Sequence, residues 1–485
     1  MVAPRAPATG ADRHFAAAAR ASRGRRLTRP RGRKNIAGVA HRAPSIDLRA
    51  APVAVGAAAA TIAAVSALTI GPAALALPLA LGLGLLLVRE PLALLTLYTY
   101  IGLFKEQDVV AALPIDATLA LGLLLSGVCF ARWLGGRAHT IPLGLVAPLA
   151  VVAVLLAVSL AWTPSPGYGG EKALRFATLT ALAALAPFFL VEDQRDLRRL
   201  LAWIVALAGF AAVVTLANPP ATADRLTIGM EGNTIGLSQL LCAGALILLI
   251  GTLTDLFRAR SLALGSSAAL IGVAAAIGSR GPLLCLGLAL VVTGVVFLAR
   301  VPHRTAPVML VVIAGVALLP FVSLPEGSAE RLGRAASHPV TALQEDPRYT
   351  SFGQAVDLIE EHPLMGVGAG GFQSVGRFAD PPEDYPHNMF LEVWSELGLA
   401  AFLVLAGSVM VVLAALWRAV WRLPPGGAFQ LLYVFNAIFL LNLFSAQLSG
   451  DLIQNRTYWG AFGLAWLIVH SDLPARRDAS GRQRA

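Results

Sequence analysis

The stretch PHNMFLEVWSELGL, residues 386–399, puts a histidine, an amide and two carboxylic acids at the entrance to an apolar run. At 100° per residue, Asn388, Glu392 and Glu396 share one helical stripe, with His387 at its edge. Imidazole is the side chain best suited to moving a proton near neutral pH, and neighbouring carboxylates raise its basicity. The combination suits a general base that takes a proton from a hydroxyl. The simpler alternative is an interfacial histidine followed by a capping asparagine. Glu392 and Glu396 read either as supports for the base or as a polar stripe against the bundle. Asp380, Glu383 and Asp384 lie just upstream, but with His387 they lack a compact metal-ligand spacing, and no metal is expected.

A second set of residues could hold an anion. Arg280, in AIGSRGPLL, interrupts two long apolar runs, and Gly281 and Pro282 allow the backbone to break there. At such a boundary its guanidinium fork either meets an anion or snorkels to the headgroups. Lys172 and Arg175 open a span after TPSPGYGGEKALRF, three positions apart and so expected on one helical face. A cation at a helix start opposes the macrodipole and needs an anion or solvent. In DRLTIGMEGNTIGLSQLL, Arg225 lies in a loop and Asn233 is placed as the N-cap of the next span. GVGAGGF matches a G-x-G-x-x-G pattern through Gly366, Gly368 and Gly371, but a helix rather than a strand precedes it, so the dinucleotide reading fails. Its glycines serve tight turns or, with exposed N–H groups, an anion nest.

The elements that must position these residues are membrane helices. The chain has 485 residues, 56% of them hydrophobic and 14% charged, which excludes an ordinary soluble enzyme. Fourteen runs approach the roughly 20 apolar residues that a span needs. They lie near 51–70, 72–88, 91–104, 117–133, 141–162, 173–191, 197–216, 233–253, 261–278, 282–299, 306–324, 388–417, 429–449 and 456–471. Two short or closely spaced pairs make the expected number 12–14. Residues 1–50 hold twelve Lys and Arg against Asp12 and Asp47, which accounts for the whole net charge of +10. That segment reads as a disordered cytoplasmic arm suited to anionic lipid rather than to nucleic acid.

With the arm inside, 28 of the 38 basic residues fall on the cytoplasmic side. Ten fall outside: Lys105, Lys172, Arg175, Arg225, Arg280, Arg331, Arg334, Arg348, Arg377 and Arg456. The expected organisation is therefore an arm at 1–50, a bundle at 51–324, an outer loop at 325–386, further spans at 387–471 and a cytoplasmic tail at 472–485. Within the loop, SFGQAVDLIEEHPL carries Phe352, Ala355, Val356 and Ile359 at helical spacing, which predicts an amphipathic helix. Cys129, Cys242 and Cys285 sit in apolar runs without paired spacing, so neither a disulfide framework nor a cysteine metal site is expected.

GSRGPLL, HPLMGVGAGGF and PHNMFLEVWSELGL, in that order and with a large outer loop between the first and last, resemble the O-antigen ligase and O-antigen polymerase superfamily. The resemblance is strongest over 270–400. It implies an all-α, polytopic, glycosyltransferase C-like enzyme of the bacterial inner membrane. Such enzymes move a glycan from an undecaprenyl-diphosphate donor to a lipid or glycan acceptor, such as lipid A core, on the periplasmic side. By resemblance the motif arginine is Arg280 and the His-Asn motif is His387 and Asn388. Arg348 precedes the Pro-Leu-x-Gly turn, and an earlier basic position falls on Lys172 or Arg175.

The implied chemistry has Arg280, with Lys172, Arg175 or Arg225, holding the diphosphate while His387 acts as base and Asn388 or Glu392 orients it. No Asp-x-Asp occurs in an outer loop, so neither metal nor other cofactor is expected. Ligase and polymerase share this donor chemistry. A transporter of an anionic or lipid-linked substrate is the competing class, but the polar positions cluster on one side rather than near the midplane.

Overall fold

Long apolar runs in lipid must satisfy every backbone polar group internally, and helices do so within one segment. The computed structural model describes residues 84–105, 110, 115–217, 233–257, 259–300, 347–375, 385–424 and 427–471, and among these there is no strand. The helices are α1 (Pro91–Leu103), α2 (Ala117–Leu134), α3 (Leu143–Ala161), α4 (Pro166–Leu190), α5 (Gln194–Ala217), α6 (Thr234–Leu253) and α7 (Arg260–Ile277). They continue with α8 (Arg280–Arg300), α9 (Pro347–Glu361), α10 (Gly371–Val375), α11 (Met389–Arg422), α12 (Gly427–Ser445) and α13 (Arg456–His470).

Eight of them (α2 to α7, α11 and α12) are long and apolar enough to cross a membrane. The chain is an all-α polytopic membrane protein. The arm, the tail, the candidates at 51–70 and 306–324, most of 72–88, Arg225 and much of the outer loop lie outside the described residues.

Helices α6 and α12 form the centre, with 78% of each spanning window buried, against 28% for α2 and 33% for α11. The difference appears on the surface: Leu123 and Phe130 of α2 and Met410 and Val411 of α11 point outward, as side chains facing lipid do. Helices α6 and α12 pack directly against each other, and α5, α7, α8 and α13 surround them, each packed against one or both.

Four local expectations change. Helix α4 begins at Pro166, because Ser165-Pro166 opens a helix with the proline at a position that needs no N–H donor. Lys172 and Arg175 therefore sit past its first turn rather than at its start. The break between α7 and α8 falls at Gly278, in the left-handed region at φ 79°, and Pro282 fits inside the first turn of α8. Helix α9 forms as expected but buries Ser351, Ala355, Leu358 and Ile359, leaving Val356 exposed, so its packed face is rotated from the predicted one. Helix α12 stops at Ser445, and residues 446–455 form a loop.

Candidate active site

Contacts among helix ends gather the polar residues at one end of the bundle. The anchor is the start of α11. Asn388 caps it, its side-chain oxygen accepting from Phe390 N and Leu391 N at 3.0 Å each, while its amide donates to Gln447 O at 3.3 Å. His387 precedes the cap at φ 54°, a left-handed conformation uncommon for a non-glycine residue. Its ring packs edge-on to Tyr385 with centroids 4.6 Å apart.

Nine residues later the helix breaks at Gly398 (φ 81°, ψ −178°), a conformation that only glycine adopts readily. A Cβ there would run into Leu364 O. Three of the backbone groups released by the break pair with HPLMGVGAGG. Val367 N donates to Ser395 O and Gly368 N to Glu396 O, both at 2.9 Å, and Leu399 N donates to Pro363 O at 3.0 Å. Ala369 N donates to Ser159 Oγ at 2.9 Å. The glycine-rich segment is thus a clamp on the broken helix, and these N–H groups do not form a nest. Gly368 (φ 93°) lies against Thr163, where a Cβ would sit 2.6 Å from that residue's Cα.

The stripe of Glu392 and Glu396 faces inward. Lys172 Nζ, with no exposed surface, lies 2.5 Å from Glu392 Oε1 and 2.7 Å from Glu396 Oε2. Glu392 Oε2 accepts from Leu452 N at 2.7 Å. Asp451 accepts through Oδ1 from Ile453 N at 3.0 Å and Gln454 N at 2.5 Å. Burial raises the Asp451 carboxyl above the usual aspartate range, and the Lys172 charge opposes that rise. The cluster ties α4, the N-terminal piece of α11 and the 446–455 loop together. Lys172 is therefore neutralised within the fold, and Arg175 does not share its face: it is exposed and pairs with Glu171 at 2.5 Å.

The loop held by this cluster forms one wall of a cleft of about 670 Å³, part of it open to solvent. The other walls come from the end of α1 (Thr99 to Leu103), the start of α6 (Asn233 to Gln239), Tyr385 and the start of α13 (Arg456, Thr457). Asn233 caps α6 as expected, accepting from Gly236 N at 2.8 Å, and also lines the cleft. Arg348 lies beside Gly281, lining a narrower space of about 170 Å³ that shares Ile235, Gln239 and Ser449 with the cleft. Arg280 is exposed at the start of α8, one residue from Gly281.

An apolar groove shares Thr99, Tyr100 and Thr457 with the cleft and lies between Leu95, Ile204, Phe435, Ile438 and Leu464. A polar cleft and an apolar groove therefore adjoin along these three residues.

Of the expected residues, Asn233 lines the cleft, Arg348 lines the adjoining space, and His387 lies one ring behind Tyr385. Lys172, Glu392 and Gly368 are packed inside the fold, and Arg175 faces outward. The sequence reading passed over Tyr385, Gln239, Gln454, Asn455 and Asp451, and counted Arg456 only as an outer-side cation. The signal for Arg456 was its survival on the side where basic residues are scarce.

A search of curated proteins finds no match to this chain. Residues 265–406 match the family described as O-antigen ligase, a segment that includes Arg280, Arg348, the glycine clamp, His387, Asn388 and the break at Gly398. The match assigns residues 265–406 to the O-antigen ligase and O-antigen polymerase superfamily, and glycosyl transfer is the activity that it implies.

Proposed function

We propose that this protein transfers a glycan from an undecaprenyl-diphosphate-linked donor to an acceptor hydroxyl at the outer face of the inner membrane, as an O-antigen ligase does. The observation that carries this reading is the polar cleft that adjoins an apolar groove along Thr99, Tyr100 and Thr457. A lipid diphosphate has the same two-part character. Its charged head suits the cleft, with the glycan leading outward, and its isoprenoid chain suits the groove.

A glycosyl diphosphate already carries an activated leaving group, so the protein must stabilise negative charge and remove one proton. His387 takes the acceptor's proton, and Asn388, fixed as the α11 cap, sets where the imidazole stands. Arg280 and Arg348, at the starts of α8 and α9, serve the diphosphate or the anionic groups of the acceptor. Asn233 and Gln239 offer amide hydrogen bonds from the start of α6.

The test is transfer by the purified protein with a lipid-diphosphate glycan. His387→Ala should lower the rate by roughly 10²–10⁴-fold, and full transfer by that variant would remove the base role. Arg280→Lys should also lose much of the rate, because an ammonium does not reproduce the guanidinium fork. In a host lacking the protein, accumulation of carrier-linked polymer identifies a ligase, and accumulation of single repeat units a polymerase. Flux of the lipid-linked substrate across sealed liposomes without a covalent product would overturn the enzymatic reading in favour of transport.

A further inference from the structure

Arg456 lies outside the segment matched to O-antigen ligase, yet it is the charged side chain among those lining the cleft. Among the described residues no Asp or Glu contributes to that lining. The guanidinium lies over the ring of Tyr98, 5.6 Å from its centroid. Tyr98 is itself held: its hydroxyl donates to Leu179 O at 2.5 Å, within a π-helical turn of α4 at Phe176–Thr180. Gly102 lies beside the guanidinium, where a Cβ would stand in ordinary contact with Arg456 Nη2 at 3.5 Å.

Arg456 Nε is buried without a hydrogen-bond partner, and among the described residues no carboxylate pairs with the side chain. Asp116 and Asp451 act on it only through longer-range attraction. An arginine stays protonated, and a half-buried guanidinium with no carboxylate beside it leaves its charge available to an anion in the cleft. Around it stand Asn233, Gln239, Asn455 and Thr457, which offer neutral hydrogen bonds and no competing charge. The helix starts of α6 and α13 both reach the same space and add positive potential.

We propose that Arg456, positioned by the Tyr98 ring, grips the donor's diphosphate in this cleft, an assignment that rests on the transferase reading above. In the transfer step the acceptor oxygen forms a bond to the anomeric carbon, and the bond from that carbon to the diphosphate oxygen breaks. The electron pair stays on the diphosphate, where Arg456 meets the added charge, and the acceptor's proton goes to His387. Tyr98 is a positioning residue: its face fixes the plane of the guanidinium, and its hydroxyl ties that plane to α4.

The experiment is calorimetric titration of the purified full-length protein in detergent with geranylgeranyl diphosphate and, separately, with inorganic diphosphate. The wild type should bind the prenyl compound more tightly, and Arg456→Gln should weaken that binding by roughly a hundredfold. Arg456→Lys should give an intermediate loss. Tyr98→Leu should cost about threefold, whereas Tyr98→Phe, which keeps the ring, should stay closer to wild type. Wild-type affinity in Arg456→Gln overturns the proposal, and if that variant aggregates, undiminished affinity in Arg456→Lys does so.

Equal affinity of the wild type for the two diphosphates overturns the assignment of the anion to a lipid-borne donor. Binding lost in Arg456→Gln, together with no glycan transfer by wild type from any lipid-diphosphate donor, supports Arg456 as the anion ligand and sinks the transferase reading. Transfer that persists unchanged in Arg456→Gln does the reverse.

Discussion

Lys172 and Arg456 are two cations at the same end of one bundle, and they are treated in opposite ways. Lys172 is sealed between Glu392 and Glu396 with no exposed surface, and it is not among the residues lining the cleft. Arg456 has an aromatic ring beneath it, an unpartnered Nε and open space in front. A buried ion pair of the first kind fixes geometry, because removing one partner strands the other. A cation of the second kind is incomplete without a ligand. Position along the sequence does not separate the two, since both belong to the ten basic residues expected on the outer side; their partners in space do.

The largest effect expected from this contrast is on folding. Lys172→Met leaves two glutamates and Asp451 buried around an empty charge position and should cost about 3–5 kcal/mol of stability, read as a large fall in melting temperature in detergent. Combining it with Glu392→Gln and Glu396→Gln should recover part of that loss. An unchanged melting temperature in the single variant would erase the distinction between the two cations.

Next comes the clamp that carries the lysine's partners. Gly398→Ala should cost about 1–3 kcal/mol from backbone strain, and more from the contact with Leu364 O. A wild-type thermal transition would show that the break in α11 is not required.

Arg456→Gln should behave in the opposite sense to Lys172→Met, with stability unchanged or raised by up to about 1 kcal/mol while diphosphate binding falls. A melting temperature that drops as far as that of the lysine variant would make Arg456 a second structural cation.

The smallest effect is at the exposed rim, where Lys105 pairs with Asp116 at 2.6 Å. Partial burial pushes the Asp116 carboxyl up, but the Lys105 bond and the backbone N–H groups of Leu119 and Thr118 outweigh it and lower it to about 2. An acid depressed in the folded state contributes stability that is present above its unfolded value and lost as pH falls through its folded value. That loss should therefore fall between pH ~4 and ~2 and, being solvent-screened, stay below about 1 kcal/mol. Asp116→Asn should flatten the acid limb of the stability curve by that amount, and an unaltered limb would show that the pair contributes nothing.

Much of the fold was legible because the signals are local. Apolar run length places α1 to α8 and α11 to α13, and the amide side chains of Asn233 and Asn388 mark helix starts one residue ahead. The glycine spacing of GVGAGGF signals tight turns without saying what they grip. What was not legible depends on distance along the chain. Glu396 and Lys172 are 224 positions apart, so no periodicity connects the stripe on α11 to its counterion. Arg456 looked like an ordinary basic residue at the start of a helix, and only the ring of Tyr98 and the walls of the cleft distinguish it.

The break at Gly398 also has a mechanical meaning. A rigid helix of 34 residues would act as a lever, carrying any tilt imposed by a thicker or thinner bilayer straight to His387 and Asn388. Broken near its N-terminal end, and with that short piece bolted to the glycine segment and to Lys172, α11 is not one rigid rod: Asn388 and His387 stand on the bolted piece rather than at the tip of the long one.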